Sequence, residues 1–144
     1  MDYRQNAEDF LDYMNQFYKI DLIRELNVLS SGEVAVLGYL SLRNNGVNAG
    51  DITSSFHIGT SRTAAILKAL EKKGLARRMA DPQDGRCILV YITKEGQAFL
   101  DGKRQDAIGH MADFLELLGP EDAKDYMRII KSALEKKRQK SPVD

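Results

Sequence analysis

The sequence predicts a mainly α-helical fold interrupted by one small β-hairpin, and three observations predict it. Apolar residues recur at helical spacing through most of the chain, from Tyr3, Ala7, Phe10, Met14 and Phe17 to Tyr126, Met127, Ile130 and Leu134. Two helical segments meet at the compact, glycine-containing connector His57-Ile58-Gly59. One stretch departs from the helical period. In DPQDGRCILVYIT, residues 81–93, the turn signals Asp81-Pro82 and Asp84-Gly85 precede Ile88, Val90, Ile92 and Thr93, which read as a strand.

Taken in order, the first helix is expected from Tyr3 to about Glu25, with alternating four- and three-residue spacing that suits packing against a partner helix. Ser30-Ser31-Gly32-Glu33 fits a capping box opening a second helix, with Val34, Leu37, Leu40 and Tyr39 facing inward until Asn44-Asn45-Gly46 ends it. Asn48 then caps a short helix over 49–56, and a longer one follows from Thr60 to Lys73, closed by Gly74. Leu75 to Ala80 supplies the partner strand of the hairpin, leaving Asp84 and Arg86 at its exposed tip. Thr93 is expected to cap a long helix over 94–118. Gly119-Pro120 breaks it and starts the last helix, where Pro120, Glu121 and Asp122 suit the positive end. The tail KKRQKSPVD reads as polar and frayed.

Length and composition bound the answer. A chain of 144 residues is the size of one domain with a real core, and 43% hydrophobic with 29% charged residues is ordinary for a soluble protein. The opening MDYRQNAEDF is acidic and amphipathic, unlike a signal peptide. No apolar run approaches the roughly 20 residues that a membrane span requires. The single cysteine, Cys87, permits no intrachain disulfide and fits a reducing cytoplasm. A cytoplasmic protein with no membrane partner is expected.

The zero formal net charge hides an uneven distribution. Residues 57–94 hold Arg62, Lys68, Lys72, Lys73, Arg77, Arg78, Arg86 and Lys94 against Glu71, Asp81 and Asp84, and acidic flanks balance them. Either a local anion-binding surface or a solvated charged face produces this pattern.

Two helices joined by a short glycine-containing connector are what a helix-turn-helix requires, and the hairpin that follows makes it winged. In the helix from Thr60, the residues Thr63, Ile66, Leu67 and Leu70 share one face. Ser61, Ala65, Lys68 and Lys72 share the opposite face, with Arg62 at its edge. That outward stripe is small or basic and contains no carboxylate, as a recognition helix lying against a polyanion needs. A wing arginine can reach a neighbouring minor groove, with Asp84 expected to hold the Arg86 side chain in place. The DNA-facing set is therefore Thr60, Ser61, Arg62, Ala65, Lys68 and Lys72 on the helix, Arg77 and Arg78 on the first strand, and Asp84 and Arg86 at the tip.

At this point the chain resembles the MarR family of winged helix-turn-helix regulators. The family's wing motif is Asp-x-Arg, five residues, then Leu-Thr; here it stands as Asp84-Gly85-Arg86, CILVY, Ile92-Thr93. The stretch ILKALEKKGLARR and the final helix starting near PED are also similar. The resemblance implies one domain over 1–144, with a winged helix-turn-helix at 30–94 and dimerisation helices at 1–29 and 95–144. It implies a homodimer on a pseudo-palindromic double-stranded site, repression of transcription, and response to a small, phenolic or anionic effector, whose pocket the sequence does not locate. Two positions depart from the family pattern. Gly85 stands where a second wing arginine is common, and Ala65 where recognition helices often carry arginine.

Other chemistry has little support. Cys87 has no resolving partner, and His57 and His110 stand apart with no metal-ligand spacing, so neither a metal nor a cofactor is expected. His57 could meet a phosphate from the turn; His110 reads as interface packing. No phosphate loop, nucleophile elbow or cysteine–histidine pair appears, which argues against an enzyme. The alternative to a DNA-binding regulator is a winged helix used only for protein interaction or dimerisation.

Overall fold

The computed structural model describes residues 1–17, 24, 29 and 31–140. Within them the order is α1 (Tyr3–Phe17), α2 (Gly32–Ser41), α3 (Ala49–Phe56), α4 (Thr60–Lys72), β1 (Ala76–Ala80), β2 (Ile88–Ile92), α5 (Lys94–Leu118) and α6 (Pro120–Lys140). The fold is a winged helix-turn-helix, mainly helical with a two-stranded antiparallel wing. The chain divides into two compact units, Met1–Ala107 and Ile108–Asp144.

The core of the first unit gathers Val36, Leu37, Leu40, Val47, Ile52, Leu67, Leu70, Leu75, Ala76 and Val90. Helix α2 lies at its centre. Its run GEVAVLGYLS is apolar on several faces, so Val36 is buried beside the expected Val34, Leu37 and Leu40. Ser31 is the N-cap and makes no side-chain cap bond, while Ser30, the serine three residues before Glu33 in the expected capping box, lies outside the described residues. Glu33 meets Lys73 at 2.6 Å, a charge-assisted bond stronger than a reach back to a neutral amide. Most of the stretch from Tyr18 to about Glu25 expected to continue α1 also lies outside the described residues.

Local chemistry sets the remaining boundaries of this unit. The Asp51 N–H donates to Asn48 Oδ1 at 2.8 Å, which opens α3. Helix α4 ends on Gly74 at φ +72°, with the Gly74 N–H bonded to the Glu71 carbonyl and the Leu75 N–H to the Leu70 carbonyl. Those two bonds, with buried Leu70 and Leu75 beside them, form a Schellman stop. The strands then pair in the register Ala76↔Ile92, Arg78↔Val90 and Ala80↔Ile88. Val47 and Val90 exchange both backbone hydrogen bonds, which anchors the hairpin base in the core. The Thr93 hydroxyl accepts from the Gly96 N–H and donates to the Gly74 carbonyl, so one side chain starts α5 and secures the α4 stop. Gly96 is obligatory there, because a Cβ would collide with the Leu75 carbonyl oxygen.

In the second unit, Gly119 at φ +78° separates the end of α5 from α6, and the Phe114 and Tyr126 rings meet edge to face at 5.6 Å. Helix α6 runs to Lys140, so KKRQK is helical and not frayed. Lys137, Arg138 and Lys140 lie in its last turn, where cations favour the negative end of the helix dipole. Among the described residues, no helix is long and apolar enough to cross a membrane.

Candidate nucleic-acid interface

Helices α3 and α4 are joined by His57-Ile58-Gly59. His57 is the C-cap of α3 in the left-handed region at φ +50°, which lets the chain reverse within three residues. A hydroxyl pair crosses between the two helices: Thr53 Oγ1 and Thr63 Oγ1 are 2.9 Å apart, and Thr63 is almost fully buried. Thr63 also bonds the Gly59 carbonyl, and Thr53 the Ala49 carbonyl. These contacts hold the inner face of α4, with Thr63, Leu67 and Leu70 buried and Ile66 half-buried.

The outer face follows from that anchoring. Ser61, Arg62, Ala65, Lys68 and Lys72 are all exposed, as is Thr60 at the helix start. No acidic residue lies in the first turn of α4, and its N-cap, Gly59, offers no side chain to its amides. The positive end of the helix dipole therefore goes uncompensated and favours an anion. Among the described residues, Arg62, Lys68, Lys72 and Arg86 have no hydrogen-bond or ion-pair partner for their side chains. Arg62 also lines an open cavity of about 190 Å³, together with Ser31, Gly32, Val36, Phe56, Ile58 and Ile66.

The basic residues near the hairpin divide into two groups. Lys73 is paired with Glu33, and Arg78 Nε lies 3.0 Å from Glu71 Oε2. Arg77, on the opposite face of β1, lies 5.6 Å from the Tyr91 ring centroid, a cross-strand cation–π contact. Nothing local in the sequence marks Glu71 or Tyr91 as partners of these arginines. Tyr39 carries Arg43, four residues on, over its ring at 3.4 Å, and accepts a hydrogen bond at 3.0 Å from Ser55, a partner that its sequence neighbourhood does not mark.

The tip departs from expectation at Asp84. Its Oδ1 accepts from the Arg86 backbone N–H at 3.1 Å, and its Oδ2 is 3.6 Å from Cys87 Sγ. An aspartate reaches the amide two residues on at almost no conformational cost, so Asp84 shapes the turn and leaves the guanidinium free. The same carboxylate changes Cys87. Chiefly through its charge, with smaller contributions from desolvation, its hydrogen bond and Asp81, the thiol pKa is raised. A raised pKa keeps this thiol protonated and poorly nucleophilic.

With the geometry in place, comparison with known proteins gives a consistent answer. Residues 29–88 match the MarR family. The uncharacterized HTH-type transcriptional regulator YfiV of Bacillus subtilis is 29% identical over 98 residues, covering 65% of this chain and 61% of that protein. The match thus spans less than two thirds of that relative. Among solved structures, the YusO protein from Bacillus subtilis is similar at a TM-score of 0.73 and 20% identity, over 94% of this chain and 99% of that one. A mutant of S. aureus MepR bound to an oligodeoxyribonucleotide is similar at 0.62 and 20%, over 91% and 96%.

Proposed function

We propose that this chain, whose residues 29–88 match the MarR family, is a helix-turn-helix transcriptional regulator of that family, acting as a homodimeric, effector-responsive repressor in the cytoplasm. It binds a pseudo-palindromic double-stranded DNA site, with α4 in the major groove and the wing tip in the adjacent minor groove. The observation that carries this reading is the outer face of α4 continued by the wing. Four cations there, Arg62, Lys68, Lys72 and Arg86, have no protein partner among the described residues, and no carboxylate interrupts the α4 stripe. The MepR mutant bound to an oligodeoxyribonucleotide has a similar fold, which supports DNA as the partner.

Two further observations support the finer parts. No residue of α1 or α6 is buried within the chain, although both carry wide apolar faces, as helices waiting for a second copy would. The open cavity that Arg62 lines combines apolar walls with a guanidinium, the two kinds of group a small phenolic or anionic effector would use. Retention of promoter fragments, beginning with DNA that flanks its own gene, followed by salt titration, tests the core of the reading. Specific retention that falls steeply with salt is expected. Salt-independent or sequence-blind behaviour would favour an interaction module. A phenolic or anionic compound that releases the fragment, and also binds the DNA-free protein, would establish the effector.

A further inference from the structure

Arg78 reads in the sequence as one more DNA contact, but its surroundings fit a different role. The chain leaves α4 through Lys73-Gly74-Leu75 and enters β1 at Ala76. Two residues further on, Arg78 Nε turns back to Glu71 Oε2 in the last turn of α4, at 3.0 Å. The pair therefore closes a bridge across the turn that joins the recognition helix to the wing. The side chains are 44% and 30% exposed, so the pair is partly shielded from solvent. It also occupies a particular level of the hairpin. Arg78 is opposite Val90, the residue held by Val47 through two backbone bonds. Beyond that level Met79, Ala80 and Ile88 are exposed, and the side-chain hydrogen bonds of the tip stay within residues 81–87. Among the described residues, Arg78–Glu71 is the last side-chain polar attachment of the hairpin to a helix before the tip.

We propose that Arg78 and Glu71 are positioning residues for DNA binding: their ion pair sets the wing tip relative to the recognition helix, and Arg78 does not serve as a phosphate contact. This rests on the DNA-binding reading above. Two elements that enter neighbouring grooves must keep a fixed separation, and an error at the base of a hairpin is amplified at its tip. A guanidinium whose Nε lies against a carboxylate also has less to offer a phosphate, because the phosphate would have to compete with that ion pair for its charge.

The sign of one substitution separates the two roles. Glu71→Gln removes a negative charge close to a polyanion and frees Arg78. If Arg78 contacts phosphate, Glu71→Gln should bind DNA as tightly as the parent chain or more tightly. If the pair positions the wing, Glu71→Gln should bind more weakly, by about twofold to fivefold per half-site, the range expected of a partly exposed ion pair. Arg78→Ala should weaken binding similarly and leave the salt dependence unchanged, whereas loss of a phosphate contact would lower it by about one counterion. The exchanged pair Glu71→Arg with Arg78→Glu should recover affinity relative to Arg78→Glu alone. All are measured by mobility shift across a salt series on the full chain, with circular dichroism verifying the fold. Undiminished binding by Glu71→Gln, a flattened salt slope in Arg78→Ala, or no recovery in the exchanged pair overturns the positioning role. If the parent chain itself retains no DNA, the regulator reading fails and this role with it.

Discussion

At the wing tip, Arg86 extends from a turn whose backbone is held by Asp84 and not from a salt-bridged side chain. Arg86→Ala should weaken DNA binding by roughly 1–3 kcal/mol, measured by mobility shift, because it removes a guanidinium from a groove of strong negative potential. Asp84→Asn should spare the turn, since its amide oxygen can still accept the Arg86 N–H, while removing the charge that raises the Cys87 pKa. The folded-state thiol then ionises at lower pH, so alkylation of Cys87 near about pH 8 should be faster in Asp84→Asn than in the parent. An unchanged rate would show that the carboxylate does not control this thiol. On the recognition helix, Lys72→Ala should lower affinity on all sequences alike and reduce the salt slope by about one, as a point charge on phosphate would. Arg62→Ala should instead relax preference at one base pair per half-site, by about 1–3 kcal/mol. Selection on randomised DNA decides this: an unaltered motif in Arg62→Ala assigns base reading to another residue.

The helix-turn-helix depends on a bond count that only the pair of helices together can show. Thr53 and Thr63 have two hydroxyl hydrogens to share among three possible hydrogen bonds: to the Ala49 carbonyl, to the Gly59 carbonyl and between the two hydroxyls. Removing either hydroxyl leaves the survivor with a carbonyl to donate to, so no buried donor is orphaned. Thr53→Val and Thr63→Val should therefore each cost only about 1 kcal/mol in urea unfolding at fixed protein concentration. The double variant should cost less than the sum of the two, because the bond between the hydroxyls is lost once. Strict additivity would mean that the 2.9 Å contact contributes nothing. The same element shows why its boundaries are legible in the sequence. Asn48, Gly59 and Gly74 act within a few residues of themselves, through caps and a left-handed stop that belong to the residue type.

For the molecule as a whole, the decisive quantity is apolar surface left open. Tyr3, Phe10, Leu11 and Tyr13 on α1 and Met127, Ile129, Ile130 and Leu134 on α6 are all exposed, more than scattered single residues would explain. The chain should sediment as a dimer at micromolar concentration, and its unfolding midpoint should rise with protein concentration, since assembly of folded chains adds a mass-action contribution to stability. Ile130→Asp should lower that midpoint and weaken binding to a two-half-site operator more than to a single half-site. A well-folded monomer whose midpoint is independent of concentration would remove both the dimer and the half-site geometry built on it.

Helix order, the wing, the glycine stops and the uncharged-or-basic outer stripe of α4 can be read directly from residue types at fixed spacing. Caps, turn signals and the 3.6-residue period are local, so a few neighbouring letters carry them. The family motif Asp84-Gly85-Arg86 through Ile92-Thr93 is readable for the same reason, being contiguous. Which cations remain free is not readable in this way. Lys73 finds Glu33 forty residues away, Arg78 folds back onto Glu71, Arg77 meets Tyr91 across the sheet, and Asp84 turns to a backbone amide in place of a guanidinium. Each of these choices is a competition among several possible partners. Distances in the folded chain settle it, because a charge pairs with whichever opposite charge packing brings within reach.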